Sequence, residues 1–215
     1  MFTDDEVVKA KGANLQISQT TPIGTFNALG SWDESSNVGT SPAFAGALAG
    51  GFEGINYIQN VEDESWSGEL NFASEKFGRF SFIAGGNYYH NLGLVQTPIM
   101  SANGKQVPRA PKATLSLSAT YSKELPAGLF SLTANGYASE RIYFDVGNVF
   151  SQPSYATLGL RASFSPSSFP GLTASVWGNN LTNNSVILST FLNSNAALAS
   201  YAPPRTYGAT LSYKF

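Results

Sequence analysis

Three features of the sequence predict an all-β fold, specifically an antiparallel section of a transmembrane β-barrel. Only 12% of the 215 residues are charged, whereas soluble domains average about 25%, so much of the surface meets something other than water. No apolar run reaches the length of about 18 residues that a transmembrane helix needs. Apolar and polar side chains instead alternate in segment after segment, which places them on opposite faces of β-strands.

The clearest alternation ends the chain. One face of residues 207–215 carries Tyr207, Ala209, Leu211, Tyr213 and Phe215, and the side chains between them are small or polar. An apolar face with aromatic residues at both ends suits a wall that has lipid outside and water inside. The segment therefore predicts a final membrane-spanning strand.

The same alternation predicts earlier strands at residues 114–121, 130–136, 155–164 and 172–177. Upstream, residues 62–74 and 79–90 are expected to form a hairpin that turns at residues 74–78. A weaker hairpin spans residues 12–32, and a short helical turn is expected only in the small-residue tract 41–51. In this scheme Leu117 and Leu160 face lipid. The polar residues expected to line the interior are Ser116, Ser118, Thr133, Asn135, Arg161 and Ser163.

The predicted connections alternate strictly between short and long. The short ones are residues 19–22, 74–78, 122–128 and 165–171. The long ones are residues 33–61, 91–111, 140–154 and 182–204. Bacterial outer-membrane barrels have short periplasmic turns and long outer loops, so the carboxy terminus is expected at the periplasmic rim.

The strand count is about nine, which makes the first and last strands parallel. An antiparallel barrel does not close on two parallel edges, and residues 1–6 lack the basic and apolar regions of a secretory signal. We therefore expect the carboxy-terminal portion of a larger barrel. Two alternatives stay open: a free-standing small barrel that acts as a passive pore, adhesin or structural anchor, and a soluble β-sandwich with its apolar faces packed together.

Several stretches resemble the TonB-dependent outer-membrane receptor family. The family's final strand is resembled by Pro-Pro-Arg-Thr-Tyr-Gly at residues 203–208, followed by the alternating residues 211–215. The weaker matches are Val-Trp-Gly-Asn-Asn-Leu-Thr-Asn at 176–183, Val-Pro-Arg-Ala-Pro at 107–111 and Ser-Trp-Ser-Gly-Glu-Leu at 65–70. The resemblance covers about residues 62–215, and residues 1–61 match only in the spacing of their predicted strands and connections.

The resemblance implies a 22-stranded outer-membrane barrel with an amino-terminal plug. Such a receptor imports a scarce nutrient, such as a ferric siderophore, cobalamin or a carbohydrate, with energy transmitted by TonB. No plug is recognised in residues 1–215, so the chain is expected to supply only carboxy-terminal barrel strands. TonB would then act only through a plug domain missing here. The other expected partners are outer-membrane lipid and an unidentified small-molecule substrate.

The resemblance also implies a role for the terminal aromatic face. Tyr207, Leu211, Tyr213 and Phe215 are expected to form the signal by which the barrel-assembly machinery captures the unfolded strand. The exposed edge of a strand offers free N–H and C=O groups for such pairing. The simpler alternative is a lipid-facing strand with an aromatic girdle.

Aromatic residues in the long loops are candidates for contact with a ligand. These residues could stack on a ring-bearing ligand. They are Tyr143, Phe144 and Phe150 in one loop, and Phe191 and Tyr201 in another. They could also pack within their loops or lie at the membrane surface. Arg205 could bind a carboxylate or phosphate, or it could stabilise the outer rim.

Nothing in the sequence points to catalysis, a metal, a cofactor or nucleic acid. The net charge of −2 comes without a basic stripe, and cysteine is absent. His90 is the single histidine, which falls short of the three or more ligands of a zinc site. The acidic residues 62–64 lack calcium-loop spacing and are expected in a solvated loop.

Overall fold

The computed structural model describes residues 6–42, 56–92, 94–96, 104–192 and 197–214. These residues form fourteen strands, and within them no helix is long and apolar enough to span a bilayer. The strands are β1 (Glu6–Thr21), β2 (Gly24–Pro42), β3 (Asn56–Ser74), β4 (Phe80–Asn91), β5 (Leu94–Gln96), β6 (Ala113–Leu125), β7 (Gly128–Ser139), β8 (Ile142–Tyr143), β9 (Ser151–Gln152), β10 (Tyr155–Pro166), β11 (Leu172–Asn179), β12 (Ile187–Leu192), β13 (Ala197–Tyr201) and β14 (Thr206–Tyr213).

Nine of these strands follow one another across the main sheet, in the order β1-β2-β3-β4-β6-β7-β10-β11-β14. All the neighbouring pairs are antiparallel, and β5 adds a short pairing to β3. The predicted count of nine is confirmed. With nine antiparallel strands, β1 and β14 run in the same direction, toward the edge of the short turns. In the part of the chain that the structure describes, they do not pair with each other.

The strand register separates two faces of the sheet, because residues that lie directly opposite each other share a face. Leu117 is opposite Gly136, and Leu160 is opposite Ala134. One residue along, Ser118 is opposite Asn135, on the other face. All six residues expected to line the interior share this second face, here called the polar face. The face that carries Leu117 and Leu160 is called the apolar face.

Each of the four short turns overlaps a predicted short connection, but the strands extend into the predicted bounds: residues 19–21 belong to β1 and residues 122–125 to β6. The β1–β2 and β6–β7 turns each contain two residues, and Gly128 at the end of the second has a φ of +149°. Gly171 before β11 has a φ of +87°, and a Cβ there would lie 2.5 Å from the carbonyl oxygen of Lys214. Glycine tolerates both conditions because it has no side chain.

The long loop predicted at residues 33–61 is wrong over much of its length. β2 continues to Pro42 and β3 begins at Asn56, and each residue of 33–42 is paired with a residue of β3. The prediction failed because residues such as Ser35, Ser36 and Asn37 have no apolar alternation. The backbone ladder continues there without a lipid-facing side. Within the tract 41–51, Ser41 and Pro42 are strand, and residues 43–51 lie outside the described residues.

The other three long connections contain short strands of their own. β5 lies between β4 and β6, the β8–β9 hairpin lies between β7 and β10, and the β12–β13 hairpin lies between β11 and β14. All of them lie at the edge opposite the short turns. The alternation of short and long connections is therefore present in the described chain, with the longer ones partly structured.

The apolar face has no second sheet packed on it among the described residues. Leu15 is 66% exposed, Val176 is 60% exposed and Leu211 is 73% exposed. Val186, in an outer loop, is the one hydrophobic residue of the described chain that is buried. A soluble sandwich would bury such a face between two sheets, whereas a membrane wall would present it to lipid.

Candidate functional site

Aromatic residues mark two levels on the apolar face. Near the short turns, the ring centroids of Phe26 and Phe72 are 4.3 Å apart, and those of Phe72 and Phe82 are 5.4 Å apart. Six residues further along, Trp32 and Trp66 have centroids 5.9 Å apart. Six residues of strand span about 20 Å. Two aromatic levels around an apolar band match the girdles that outer-membrane barrels carry at their two membrane interfaces.

Charged residues begin directly beyond the tryptophan level on this same face. Lys11 Nζ lies 2.9 Å from Glu34 Oε2, and Trp32 Nε1 donates to Glu64 Oε1 at 3.2 Å. Ionised side chains in contact with hydrocarbon are costly. The tryptophan pair therefore marks the outer limit of the lipid-facing band.

The polar face is held by hydrogen bonds between hydroxyl side chains on neighbouring strands. Ser31 and Ser67 are 2.7 Å apart, and Ser165 and Thr173 are 2.8 Å apart. Two further pairs lie between β6 and β7: Thr120 with Thr133 and Ser122 with Ser131, each at 3.1 Å. A surface of paired hydroxyls suits an aqueous interior, because each group also remains able to bind water.

The terminal strand β14 is held to β11 by two reciprocal aromatic–glycine pairs. On the apolar face, the Tyr207 ring lies over Gly178, and a Cβ at Gly178 would meet the ring at 3.0 Å. On the polar face, the Trp177 ring lies over Gly208, and its Nε1 donates to Thr210 Oγ1 at 3.1 Å. Each glycine leaves room for the opposite ring.

Three residues of the predicted assembly signal share the exposed apolar face of β14. Tyr207 is 68% exposed, Leu211 is 73% exposed and Tyr213 is 57% exposed. Phe215 lies outside the described residues. The structure thus brings three of the four residues onto one face of the last strand of the sheet. Their proposed recognition by the assembly machinery stays a prediction.

The predicted ligand-loop residues fall into two groups. Tyr143, Phe144 and Phe150 lie together in and beside the β8–β9 hairpin, where the Phe144 N–H donates to the Phe150 carbonyl at 2.9 Å. The Arg109 N–H from the preceding loop donates to the Tyr143 carbonyl at 2.7 Å. Asp145 accepts the Phe150 N–H at 2.7 Å, which fixes the hairpin turn.

The second group lies in the last outer loop. Phe191 and Tyr201 are on the β12–β13 hairpin and are 64% and 58% exposed. Arg205 precedes β14, and its backbone N–H donates to Asn183 Oδ1 at 3.3 Å. The two loops are joined by the Ile187 N–H, which donates to Gln152 Oε1 at 2.8 Å. Their aromatic residues are not brought into one cluster.

An asparagine-rich segment, residues 179–184, fastens the last outer loop to β10. Asn180 and Asn183 have φ values of +48° and +55°, which asparagine tolerates better than most residues. The Leu181 N–H donates to the Leu158 carbonyl at 2.8 Å, and Thr182 Oγ1 donates to the Ala156 carbonyl at 2.9 Å. Sequence reasoning missed this anchoring role, although the density of asparagine was a visible signal.

A cleft opens on the outer half of the sheet beneath this loop. It encloses about 360 Å³, and none of its lining residues is charged. The strand residues that line it come from β7, β10 and β11, and the loop contributes Val186, Ala202 and Pro203. We call it the Gly159 cleft, after the glycine on β10. Sequence reasoning missed this cleft, because its residues come from three strands and meet only through the strand register.

The acidic residues at 62–64 lie on strand β3 rather than in the predicted loop. Glu62 and Glu64 share the apolar face, and Asp63 lies on the polar face. Alternate side chains of a strand point to opposite faces, so the three carboxylates do not converge. His90 lies opposite Trp66. Within the described ranges, the structure contains no group of three or more potential metal ligands.

The comparisons with known proteins agree with this geometry. Residues 13–181 match the family model described as TonB dependent receptor-like, beta-barrel. The chain belongs to this receptor family. Its members are outer-membrane transport receptors rather than enzymes.

Two solved receptor structures share the fold. The ferric yersiniabactin uptake receptor FyuA from Yersinia pestis superposes with a TM-score of 0.63 at 16% identity, over 100% of this chain and 36% of its own. The siderophore receptor PiuA from Acinetobacter baumannii gives a TM-score of 0.59 at 16% identity, over 99% of this chain and 44% of its own. The chain thus spans less than half of either receptor. No curated protein matches it.

Proposed function

We propose that this chain supplies nine consecutive strands of the wall of an outer-membrane importer, which takes up a scarce nutrient with energy from TonB. The observation that carries the proposal is the two-faced antiparallel sheet with an odd number of strands. Its apolar face fits lipid between two aromatic levels, and its polar face fits an aqueous interior. An odd sheet requires further strands before an antiparallel wall can close.

The proposal assigns partners to each face and edge. Lipid contacts the apolar face, and a plug domain would lie against the polar face and receive the pull of TonB. The edge of β14 would be captured by the barrel-assembly machinery during insertion. Tyr207, Leu211, Tyr213 and Phe215 would provide the side-chain part of that recognition, since aromatic residues anchor well at a membrane interface.

The outer loops are the proposed place of first contact with the nutrient. Tyr143, Phe144 and Phe150 would contribute from one loop, and Tyr201 and Arg205 from the next. The hydrogen bond from the Ile187 N–H to Gln152 Oε1, which joins these loops, supports a surface whose shape exists before the nutrient arrives. A preformed surface loses less entropy on binding.

A free-standing small barrel is the alternative function, and the direction of the edge strands argues against it. β1 and β14 both run toward the short turns, so they lack the antiparallel relation that closure requires. A passive pore, adhesin or anchor built from these strands alone would need one more strand or one fewer.

Cysteine labelling tests the proposed membrane arrangement. The chain contains no cysteine, so Val149→Cys in an outer loop and Ala127→Cys in a short turn each introduce a single thiol. We expect a membrane-impermeant maleimide to label Val149→Cys in intact cells, and to label Ala127→Cys only after the outer membrane is permeabilised. Equal labelling of both positions in intact cells would contradict the arrangement.

Transport itself is tested by growth and uptake. Cells that lack the gene, or that have lost TonB, are compared with parent cells on limiting ferric chelates, cobalamin or oligosaccharides. We expect both losses to remove uptake of the same nutrient. Uptake that depends on the gene but not on TonB would favour a passive pore.

A further inference from the structure

We propose that the Gly159 cleft binds a neutral, hydroxyl-rich ligand, namely a saccharide or the sugar part of a larger nutrient. This inference rests on the proposed function, which places the polar face in the interior of the barrel and the loops outside the cell. It goes further by naming a substrate class and the residues that select it.

The floor of the cleft is formed by a glycine between two carboxamides. Gly159 lies directly opposite Asn135 on β7. A Cβ at Gly159 would lie 3.5 Å from Asn179 Oδ1 on the other side, which places that amide beside the glycine. The missing side chain therefore leaves a notch at which Asn135 and Asn179 can both be reached.

Aromatic residues and loop residues form the sides of the cleft. Tyr137 lies opposite Thr157, and the rings of Tyr137 and Tyr155 have centroids 6.0 Å apart at an angle of 49°. On the loop side, the Ala202 N–H donates to the Val186 carbonyl at 2.8 Å. Because residues 180–184 bind this loop to β10, the cleft is formed without a ligand.

Three polar side chains of the cleft are available for binding. Within the described residues, the side chains of Asn135, Asn179 and Thr157 make no hydrogen bond. A carboxamide offers both donors and acceptors, and a hydroxyl offers one donor and two acceptors. The hydroxyl groups of a sugar need both kinds of partner. The faces of tyrosine rings can cover the apolar C–H surface of a sugar ring.

The absence of charge distinguishes this class from an anionic chelate. None of the residues that line the cleft is charged. Arg161, two residues further along the same face, donates to Ser175 Oγ at 3.3 Å. A multiply anionic ligand would lose hydration in the cleft without gaining a counter-charge, whereas a neutral sugar exchanges hydrogen bonds of similar strength.

Direct binding to variants of the full chain tests the inference. Outer-membrane vesicles from producing cells are titrated with fluorescent maltohexaose, cellohexaose and chitohexaose, and with an anionic ferric tricatecholate. We expect at least one saccharide to bind. We expect Asn135→Ala with Asn179→Ala to weaken it about tenfold, the equivalent of two ordinary hydrogen bonds.

Filling the notch supplies an independent variant. Gly159→Leu should abolish saccharide binding by occupying the space between the two carboxamides. Gly159→Ala should fold normally and lose less, because its Cβ would make only ordinary contacts. Asn27→Ala, on the polar face of distant β2, is the control and should bind within about twofold of the parent, since it removes no hydrogen bond to the ligand. Each variant is checked for the gel mobility of the unheated, folded protein.

Two results would overturn the inference: no saccharide binds, whether or not the tricatecholate does, or the Asn135 and Asn179 variant binds as well as the control. If cysteine labelling and TonB-dependent uptake both give the expected results while these binding tests fail, the importer stands and the substrate class is wrong. If Ala127→Cys is labelled in intact cells, the proposed function fails as well.

Discussion

The strands at the two ends of the sheet differ in length. β1, β2 and β3 contain 16, 19 and 19 residues, whereas β11 and β14 contain eight each. A tilted strand crosses a bilayer in about 9–11 residues. The eight-residue strands are thus slightly shorter than a full crossing, whereas β2 continues about ten residues beyond Trp32.

This difference separates two sources of stability in one sheet. Inside the apolar band, lipid contact and the backbone ladder act together, and arginine or lysine is costly. Beyond Trp32 and Trp66, the ladder continues with charged side chains on both faces, such as Glu34 and Asp33, and with only scattered apolar residues. The bilayer therefore restricts side chains over one part of a strand only, and the comparison can be tested by the same substitution at two heights.

The largest expected effect is that of an arginine placed in the apolar band of β1. Leu15→Arg should destabilise the folded protein by about 2–4 kcal/mol, whereas Val7→Arg, above the band, should cost about 0–1 kcal/mol. Urea titration of the protein in lipid vesicles measures both. Equal costs at the two positions would show that the part of β1 near Leu15 and the part near Val7 do not differ in their contact with lipid.

Controls in the middle of the sheet separate face from height. Leu117→Arg and Leu160→Arg should cost about as much as Leu15→Arg if both lie near the bilayer midplane. Ser116→Arg, next to Leu117 but on the polar face, should cost much less. Similar penalties on the two faces would contradict the assignment of lipid and water.

The second effect concerns the glycine that receives the Trp177 ring. A Cβ at Gly208 would lie 2.2 Å from that ring, so Gly208→Val should destabilise the protein by about 1–3 kcal/mol through overpacking. Gly30→Val, in the 19-residue strand β2, is the matched control, because nothing lies within 4 Å of its added Cβ. Unfolding midpoints distinguish the two, and a fall of similar size in both would mean that packing at β14 is not special.

The third effect concerns the tryptophan pair at the outer limit of the band. Trp32→Ala, Trp66→Ala and the double variant form a cycle whose coupling energy should be about 0.5–1.5 kcal/mol for an aromatic pair. The tilted geometry, with centroids 5.9 Å apart, supports direct contact. A coupling near zero would show that each ring contacts only lipid.

The smallest expected effect concerns the part of β1 and β2 that lies beyond Trp32. Lys11→Ala removes the ion pair with Glu34, whose side chain is 47% exposed, and should cost about 0.2–1 kcal/mol. The loss should shrink further at high salt, because exposed charges are screened. A cost that is large and independent of salt would place this pair in a less solvated setting.

The sequence predicted the parts of the fold where the membrane acts on the side chains. Alternation located the strands around Leu117, Leu132 and Leu160, and the connection lengths identified the two edges of the sheet. The strand at residues 33–42 was not predicted from alternation, because water contacts both of its faces and the sequence there has no apolar residue at every second position. The backbone pairing that keeps this segment in the sheet leaves no trace in side-chain hydrophobicity.

The candidate sites were predictable to different degrees. The shared face of Tyr207, Leu211 and Tyr213 follows from strand periodicity alone. The Gly159 cleft does not, since Asn135, Gly159 and Asn179 belong to three strands and meet only through register. The Trp177–Gly208 pair was hidden for the same reason: neither residue reveals its partner on the neighbouring strand.

The parallel outer strands of this sheet also exclude one form of self-association. Two copies inserted into a membrane in the same orientation would meet with β14 parallel to β1. An antiparallel ladder between the two copies would require one of them to be inverted across the bilayer, which would place its long loops in the periplasm.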